Sequence, residues 1–269
     1  MAPNILVFDS GLGGLTVYRE IVKARPDANY VYVADDAFFP YGAHEQDALI
    51  ARVVPLMGEL IAAHKPDLIV IACNTASVQA LAALRERYKV PFVGTVPAIK
   101  PACAASRTKR ISVLGTKATV AREYTRVLIR EFAGDCAVDL IGSGQLAGIA
   151  EAELAGKPAP DADIAAELAP CFVDKDSRRT DAIVLACTHY PLLLRRLIAL
   201  APWPVDWIDP APAIARRVTN LAGRAKDGAT GAARAIFTSG ARPSATLAAA
   251  LAKFGLKGEM ETAYSPASG

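Results

Sequence analysis

A chain of 269 residues, 52% apolar and 21% charged by count, can bury one or two compact cores, and no stretch approaches the ~20 uninterrupted apolar residues of a membrane span. The net charge of +3 is small, and the Lys and Arg residues are scattered or lie on helix faces, as in LLLRRLIAL, which argues against a nucleic-acid partner. Five cysteines, at 73, 103, 136, 171 and 187, are odd in number, widely spaced and without a C-x-x-C pair, a pattern that fits free thiols and neither a disulfide framework nor a thiolate metal site.

The opening MAPNILVFDSG runs into a strand with no basic n-region or cleavage site, so the chain is expected to be cytoplasmic. Short β-rich apolar runs then follow one another: NILVF (4–8), YVYVA (30–34), LIVIA (68–72), PFVG (91–94), RISVLG (110–115), AVDLI (137–141), AIVLA (182–186), VDWI (205–208) and RAIFT (234–238). Between them, helical periodicity predicts helices over 15–25, 45–64, 77–88, 120–132, 146–155, 161–173, 191–200, 211–223 and 244–254. This βαβα rhythm means parallel sheets with helices on both faces, and ligands in such folds bind at the carboxyl ends of the strands. The closing ETAYSPASG reads as a frayed tail.

The rhythm occurs twice. PDLIVIACNTAS is echoed by TDAIVLACTHYP, which places Cys187 114 residues after Cys73 in the same local pattern. NILVFDSGLGG pairs with ISVLGTKATV, and VYVADDAFFPYG with VDLIGSGQLAG, at similar offsets. Duplication of one α/β unit accounts for all three echoes. If both units aim their strand ends at a shared cleft, the two cysteines approach from opposite sides as mirror partners.

A strand-end cysteine is usually a small buried hydrophobe, and Cys103, Cys136 and Cys171 are read that way. Two in matched settings, each followed by hydroxyl, amide or imidazole groups, fit a specific chemistry. Inverting a carbon stereocentre by proton transfer needs a base on one face and an acid on the other. A free thiol is only a few per cent ionised at neutral pH, so each requires a helper. Asp9, at the end of the first strand, suits the Cys73 side, and His189 suits Cys187. DSGLGGLT (9–16) fits neither nucleotide-binding glycine pattern, since position 16 is Thr; its glycines are expected to turn the backbone and offer amide N–H groups to a carboxylate ligand. Asn74, Thr75 and Thr188 stand at helix starts as caps, ligand donors or both, and FFPYG (38–42) brings a tyrosine and backbone amides to the same rim.

The set FDSGLGG, FPYG, ACNTAS and ACTHYPLL, in this order, together with WIDPAPAIARRV and FTSG, resembles the glutamate racemases of the aspartate/glutamate racemase superfamily over nearly the whole chain. The resemblance implies two pseudo-symmetric α/β domains with the active site between them, no cofactor, and interconversion of L- and D-glutamate to supply D-glutamate for bacterial peptidoglycan. Cys73 resembles the base that acts on D-glutamate and Cys187 the base that acts on L-glutamate, with Asp9 and His189 as their assistants and Glu151, in GIAEAEL, as support for the histidine. Asp9 and Ser10, Tyr41 and Gly42, Asn74 and Thr75, and Thr188 and His189 match substrate-binding pairs, and Thr116 and Thr119 resemble further contacts. The chain departs from many members in PYGAHEQ, where His44 stands two positions after PYG in place of a basic residue. Duplication and resemblance together divide the chain into 1–96 plus 210–269 and 97–209, with proline-bearing crossings near TVPAIKP and WIDPAPA that suit a hinge. The resemblance also suggests a homodimer. Aspartate racemase shares the cysteine pair and stands as an alternative. A Cys–His hydrolase or decarboxylase needs only one cysteine, and a non-catalytic amino-acid-binding protein leaves the pair unexplained.

Overall fold

The computed structural model describes residues 2–225 and 228–256, and the tail ETAYSPASG lies outside them. Two parallel sheets carry the architecture. The first comprises β1 (Asn4–Asp9), β2 (Asn29–Ala34), β3 (Leu68–Ile71), β4 (Phe92–Gly94) and the late strand β11 (Ala233–Phe237), in the order β11-β2-β1-β3-β4. The second comprises β5 (Arg110–Thr116), β6 (Ala137–Ser143), β9 (Ala182–Ala186) and β10 (Asp206–Ile208), in the order β10-β9-β5-β6. The sequence β2-β1-β3-β4 in space is therefore repeated as β6-β5-β9-β10, the signature of the duplication. A two-residue antiparallel pair, β7 (Asp174–Lys175) with β8 (Arg178–Arg179), turns through left-handed Asp176 and Ser177 and was not anticipated.

The strands are apolar on both faces because both faces are covered. In β1, Ile5 and Val7 enter one core with Leu15, Ile21 and Val218, while Leu6 and Phe8 enter another with Val53, Met57 and Leu84. This two-residue alternation sends α1 (Leu15–Ala24) and α10 (Ala211–Ala222) to one face, and α2 (Gln46–His64) and α3 (Asn74–Arg87) to the other. In β9, Ile183 and Leu185 face α7 (Leu146–Leu154), α8 (Asp161–Leu168) and α9 (Leu194–Leu200), and Ala182 and Val184 face α4 (Ile99–Ala105) and α6 (Glu123–Phe132).

Several helices differ from expectation. The predicted helix over 120–132 is split into α5 (Lys117–Ala121) and α6, because Arg122 is extended and its guanidinium is held by Gln46 and Gln79 at 3.4 and 3.2 Å. The one over 161–173 ends at Leu168 and continues as a 3-10 turn over Ala169–Cys171, and 191–200 starts as a 3-10 turn over Tyr190–Leu193. Helix α4, in the Pro- and Ala-rich AIKPACAAS, was not among the expected helices, and it buries Ile99, Ala102 and Cys103 on one side. Helix α11 (Ala245–Lys253), capped by the Ser244 hydroxyl accepting from Leu247 N–H, matches its expected span to within a residue.

One buried carboxylate fixes the turn that follows β2. Asp35, fully buried, accepts from the Tyr41 hydroxyl at 2.6 Å, the Thr238 hydroxyl at 2.6 Å and the Arg52 guanidinium at 3.0 and 2.5 Å. It thereby ties the 3-10 turn Tyr41–Ala43 to α2 and to the end of β11. Asp35→Ala, which strands Arg52 and two hydroxyls, is expected to destabilise the protein by about 3–5 kcal/mol in denaturant unfolding.

Candidate active site

The carboxyl ends of six strands converge on a cavity of about 250 Å³. The expected residues Ser10, Tyr41, Gly42, Cys73, Asn74, Thr75, Thr116, Cys187, Thr188 and His189 all line it, with Phe39, Pro40, Ala43, Lys117, Ser143, Gly144 and Ala147 beside them. Asp9, Glu151 and Thr119 stand behind this layer and act on it through hydrogen bonds. Cys187 directly follows β9 and Cys73 stands two residues after β3, so the sheets set both positions. Among the described residues no cluster of three His, Cys, Asp or Glu side chains is arranged to hold a metal ion.

Cys73 is the N-cap of α3. Its Sγ accepts from the Ala76 amide at 3.5 Å and donates to the Ser10 hydroxyl at 3.7 Å. Burial, reinforced by the negative charge of Asp9, pushes this thiol up to about 12, so at neutral pH it holds its proton. Asp9 acts on Cys73 through charge alone: its carboxylate accepts from the Gly11 amide and, across the cleft, from the Thr188 hydroxyl, both at 3.1 Å. Burial raises the Asp9 pKa from 3.8 to about 6 against the opposing pull of His189 and the Gly11 amide.

The opposite wall is organised differently. Cys187 Sγ lies 3.7 Å from His189 Nδ1, and His189 Nε2 lies 2.7 Å from Glu151 Oε1. The Gly13 amide also points at Nε2, at 3.2 Å, but one nitrogen cannot donate to Glu151 and accept from Gly13. The shorter, carboxylate-assisted contact decides it: Nε2 carries a proton directed at Glu151, which leaves Nδ1 to exchange a proton with the Cys187 thiol. Burial opposes a charged imidazole, yet the contacts with Cys187 and Glu151 outweigh it and hold the His189 pKa well above its ordinary value.

The glycine loop does something other than expected. Its amides are taken by the protein's own groups: Gly11 by Asp9 at 3.1 Å and Leu12 by Glu151 at 2.5 Å. The carboxylate anticipated at this helix start belongs to α7 of the second sheet's layer and not to a ligand. A Cβ on Gly11, Gly13 or Gly14 would lie 2.3 Å from Glu151, 2.4 Å from the His189 ring or 2.6 Å from Asp9, respectively. The glycines make room for the site's second layer.

With Cys73 capping α3, Asn74 is free of that duty. Its side-chain oxygen and nitrogen are both buried without partners, although the residue is only 2% exposed and borders the cavity. Such a pair costs stability unless a ligand completes it. Thr75 bridges to Thr116 at 3.0 Å and to Thr119 at 3.3 Å, joining α3 to the start of α5 across the cleft. His44 stacks on Phe38 at 3.8 Å between ring centres and stays out of the cavity lining. Ser143 and Gly144 were legible only as part of the β6 echo, and Lys117 carried no local signal.

The sequence pattern of the Asp/Glu/Hydantoin racemase family matches residues 5–218. A glutamate racemase of Brucella anthropi is 57% identical over 218 residues, covering 81% of this chain and 78% of that protein. The crystal structure of Escherichia coli glutamate racemase, in complex with L-glutamate and the activator UDP-MurNAc-Ala, superposes with a TM-score of 0.88 at 36% identity over 98% of this chain and 99% of that one. A glutamate racemase isoform of Bacillus anthracis gives 0.79 at 25% identity, with 98% of each chain covered.

Asp9 gives the site a pH signature in stability. Its carboxyl holds a proton in the folded state up to about pH 6 but loses it near 3.8 when unfolded, so the wild type loses stability as pH rises through that window. At ~1.36 kcal/mol per pH unit the loss amounts to about 3 kcal/mol. Asp9→Asn removes this titration: the stability of the variant relative to wild type is expected to rise by about that amount between pH 4 and pH 7, read by denaturant unfolding at each pH.

Proposed function

The chain belongs to the Asp/Glu/Hydantoin racemase family, and from that premise we propose that it interconverts L- and D-glutamate by proton transfer between the substrate α-carbon and two thiols, Cys73 and Cys187. The observation that carries the mechanism is that two buried thiols, at 5% and 6% exposure and from equivalent strand ends of the two sheets, line one cavity. An α-carbon held between them meets a hydrogen-bonding sulfur on each face.

In the direction from L-glutamate, Cys187 takes the α-proton, with His189 Nδ1 having drawn the thiol proton away and Glu151 stabilising the resulting imidazolium. Cys73, resting as a thiol, delivers its proton to the opposite face. The bond broken is Cα–H on one side, the bond formed is Cα–H on the other, and the two sulfurs exchange protonation states. In reverse, Cys73 is the base. The positive charge of the substrate's α-ammonium near Asp9 and Cys73 would lower the cost of that thiolate. Asn74, whose amide lacks partners, together with Thr75 and the N-terminal amides of α3, supplies donors to the α-carboxylate, which must take up charge as the carbanion develops. Ser10, Tyr41, Gly42, Thr116, Thr119 and Thr188 complete the substrate's surroundings.

The division 1–96 plus 210–269 against 97–209 is part of the proposal; it is supported by the strand content of the two sheets, since β11 rejoins the first. So are a cytoplasmic location, a role in supplying D-glutamate for bacterial peptidoglycan, and a homodimer. No helix among the described residues is long and apolar enough to cross a membrane.

The test is to incubate the purified protein with each enantiomer of glutamate and of aspartate in D2O and follow optical rotation and α-deuterium uptake. Glutamate is expected to racemise with deuterium incorporation and aspartate to do so at least tenfold more slowly. Cys73→Ala and Cys187→Ala are each expected to lower racemisation by a factor of about 10³ or more, since each removes the acid or base for one face. Full turnover by either variant would refute the two-base mechanism.

A further inference from the structure

Lys117 opens α5 and lines the cavity, where among the described residues it is the one lysine or arginine. Among the described residues no aspartate or glutamate lines that cavity, and no ion pair or hydrogen bond is found for the Lys117 ammonium. The imidazole of His189, by contrast, is committed to Glu151 at 2.7 Å. The lysine stem lies along a bare backbone ridge, Gly142-Ser143-Gly144. A Cβ on Gly142 would come within 3.0 Å of Lys117 Cα and 3.3 Å of its Cγ, and one on Gly144 within 3.4 Å of both Cε and Nζ. Two glycines thus keep open the path that carries the ammonium to the β6 rim of the cleft. The nearby Glu167 carboxylate is occupied elsewhere: it accepts from the Ser143 hydroxyl and from the amides of Gly144 and Gln145 at 3.0 and 3.3 Å.

We propose that Lys117 recognises the side-chain carboxylate of the substrate, and so selects an amino acid whose side chain is anionic over one that is neutral. The proposal rests on the reading of this cavity as the glutamate site. With the α-carbon between the thiols and the α-carboxylate at the start of α3, a second carboxylate remains to be neutralised. The remaining lining offers hydroxyls and backbone amides, which bind an amide side chain as readily as a carboxylate. A fixed cation at the rim is what separates the two, and it also draws the doubly carboxylated ligand into the cleft.

Kinetics of Lys117→Met and Lys117→Arg with L- and D-glutamate, and inhibition by glutamine as the neutral-side-chain probe, test this. Lys117→Met is expected to raise KM for both enantiomers about three- to tenfold, with the loss falling on KM rather than kcat and with glutamine inhibition unchanged. It is also expected to flatten the decline of kcat/KM with ionic strength, while Lys117→Arg restores both glutamate affinity and salt dependence. An unchanged KM for glutamate in Lys117→Met beside an active wild type, or an equal loss for glutamate and glutamine, would overturn the assignment alone. A wild type inactive on glutamate would overturn the racemase reading and this assignment with it.

Discussion

The contact between Glu151 and His189 is the joint on which the rest of the site turns, because it brings together three parts of the chain that share no local pattern. Glu151 comes from α7, His189 from the turn after β9, and the loop that seats them both from residues 11–14 after β1. The loop serves by what it lacks. At Gly11, Gly13 and Gly14 a single methyl group would occupy the space of the Glu151 carboxylate, the imidazole or Asp9. Once seated, Glu151 holds the proton on Nε2 and leaves Nδ1 facing the Cys187 sulfur, so a distant carboxylate orients the imidazole beside a thiol it does not touch. The same carboxylate occupies the Leu12 amide, which anchors the start of α1.

The duplication makes the two walls equivalent in backbone and leaves them unequal in chemistry. Cys73 sits at a helix start, donates to a serine and is kept protonated by burial and by Asp9. Cys187 faces an imidazole that burial would neutralise and that its two partners keep charged. In the proposed mechanism one resting acid and one assisted base suffice for inversion in one direction, and the return journey needs only that the sulfurs have exchanged roles. Because the enantiomers of an amino acid are equal in free energy, kcat/KM must be equal in the two directions whatever the walls do. The asymmetry is confined to kcat and KM taken separately.

Much of this was legible in the sequence, for physical reasons. Strands buried on both faces are written as continuous apolar runs, so NILVF and AIVLA stood out, and their repetition turned two unremarkable cysteines into a pair. What stayed hidden depends on contacts distant in sequence. The amides of DSGLGG read as free for a ligand, because nothing local to them announces that a glutamate 139 residues further on will fill the space. Cys73 as the cap of α3, in place of Asn74, was likewise invisible, since sulfur is an unusual capping acceptor. Lys117 carried no local signal, and its place beside the cleft depends on the missing side chains of Gly142 and Gly144. The break between α5 and α6 follows from two glutamines on the other side of the cleft gripping Arg122.

The central claim, that the two thiols serve opposite faces of one α-carbon, is tested most directly by single-face exchange. A variant that retains one thiol can still remove the proton on its own side, pass it to solvent and return deuterium to the same position without inversion. In D2O, Cys73→Ala is expected to wash deuterium into L-glutamate and leave D-glutamate untouched, and Cys187→Ala to do the opposite, each with retention of configuration. Exchange of both enantiomers by one variant, or exchange accompanied by inversion, would contradict the account.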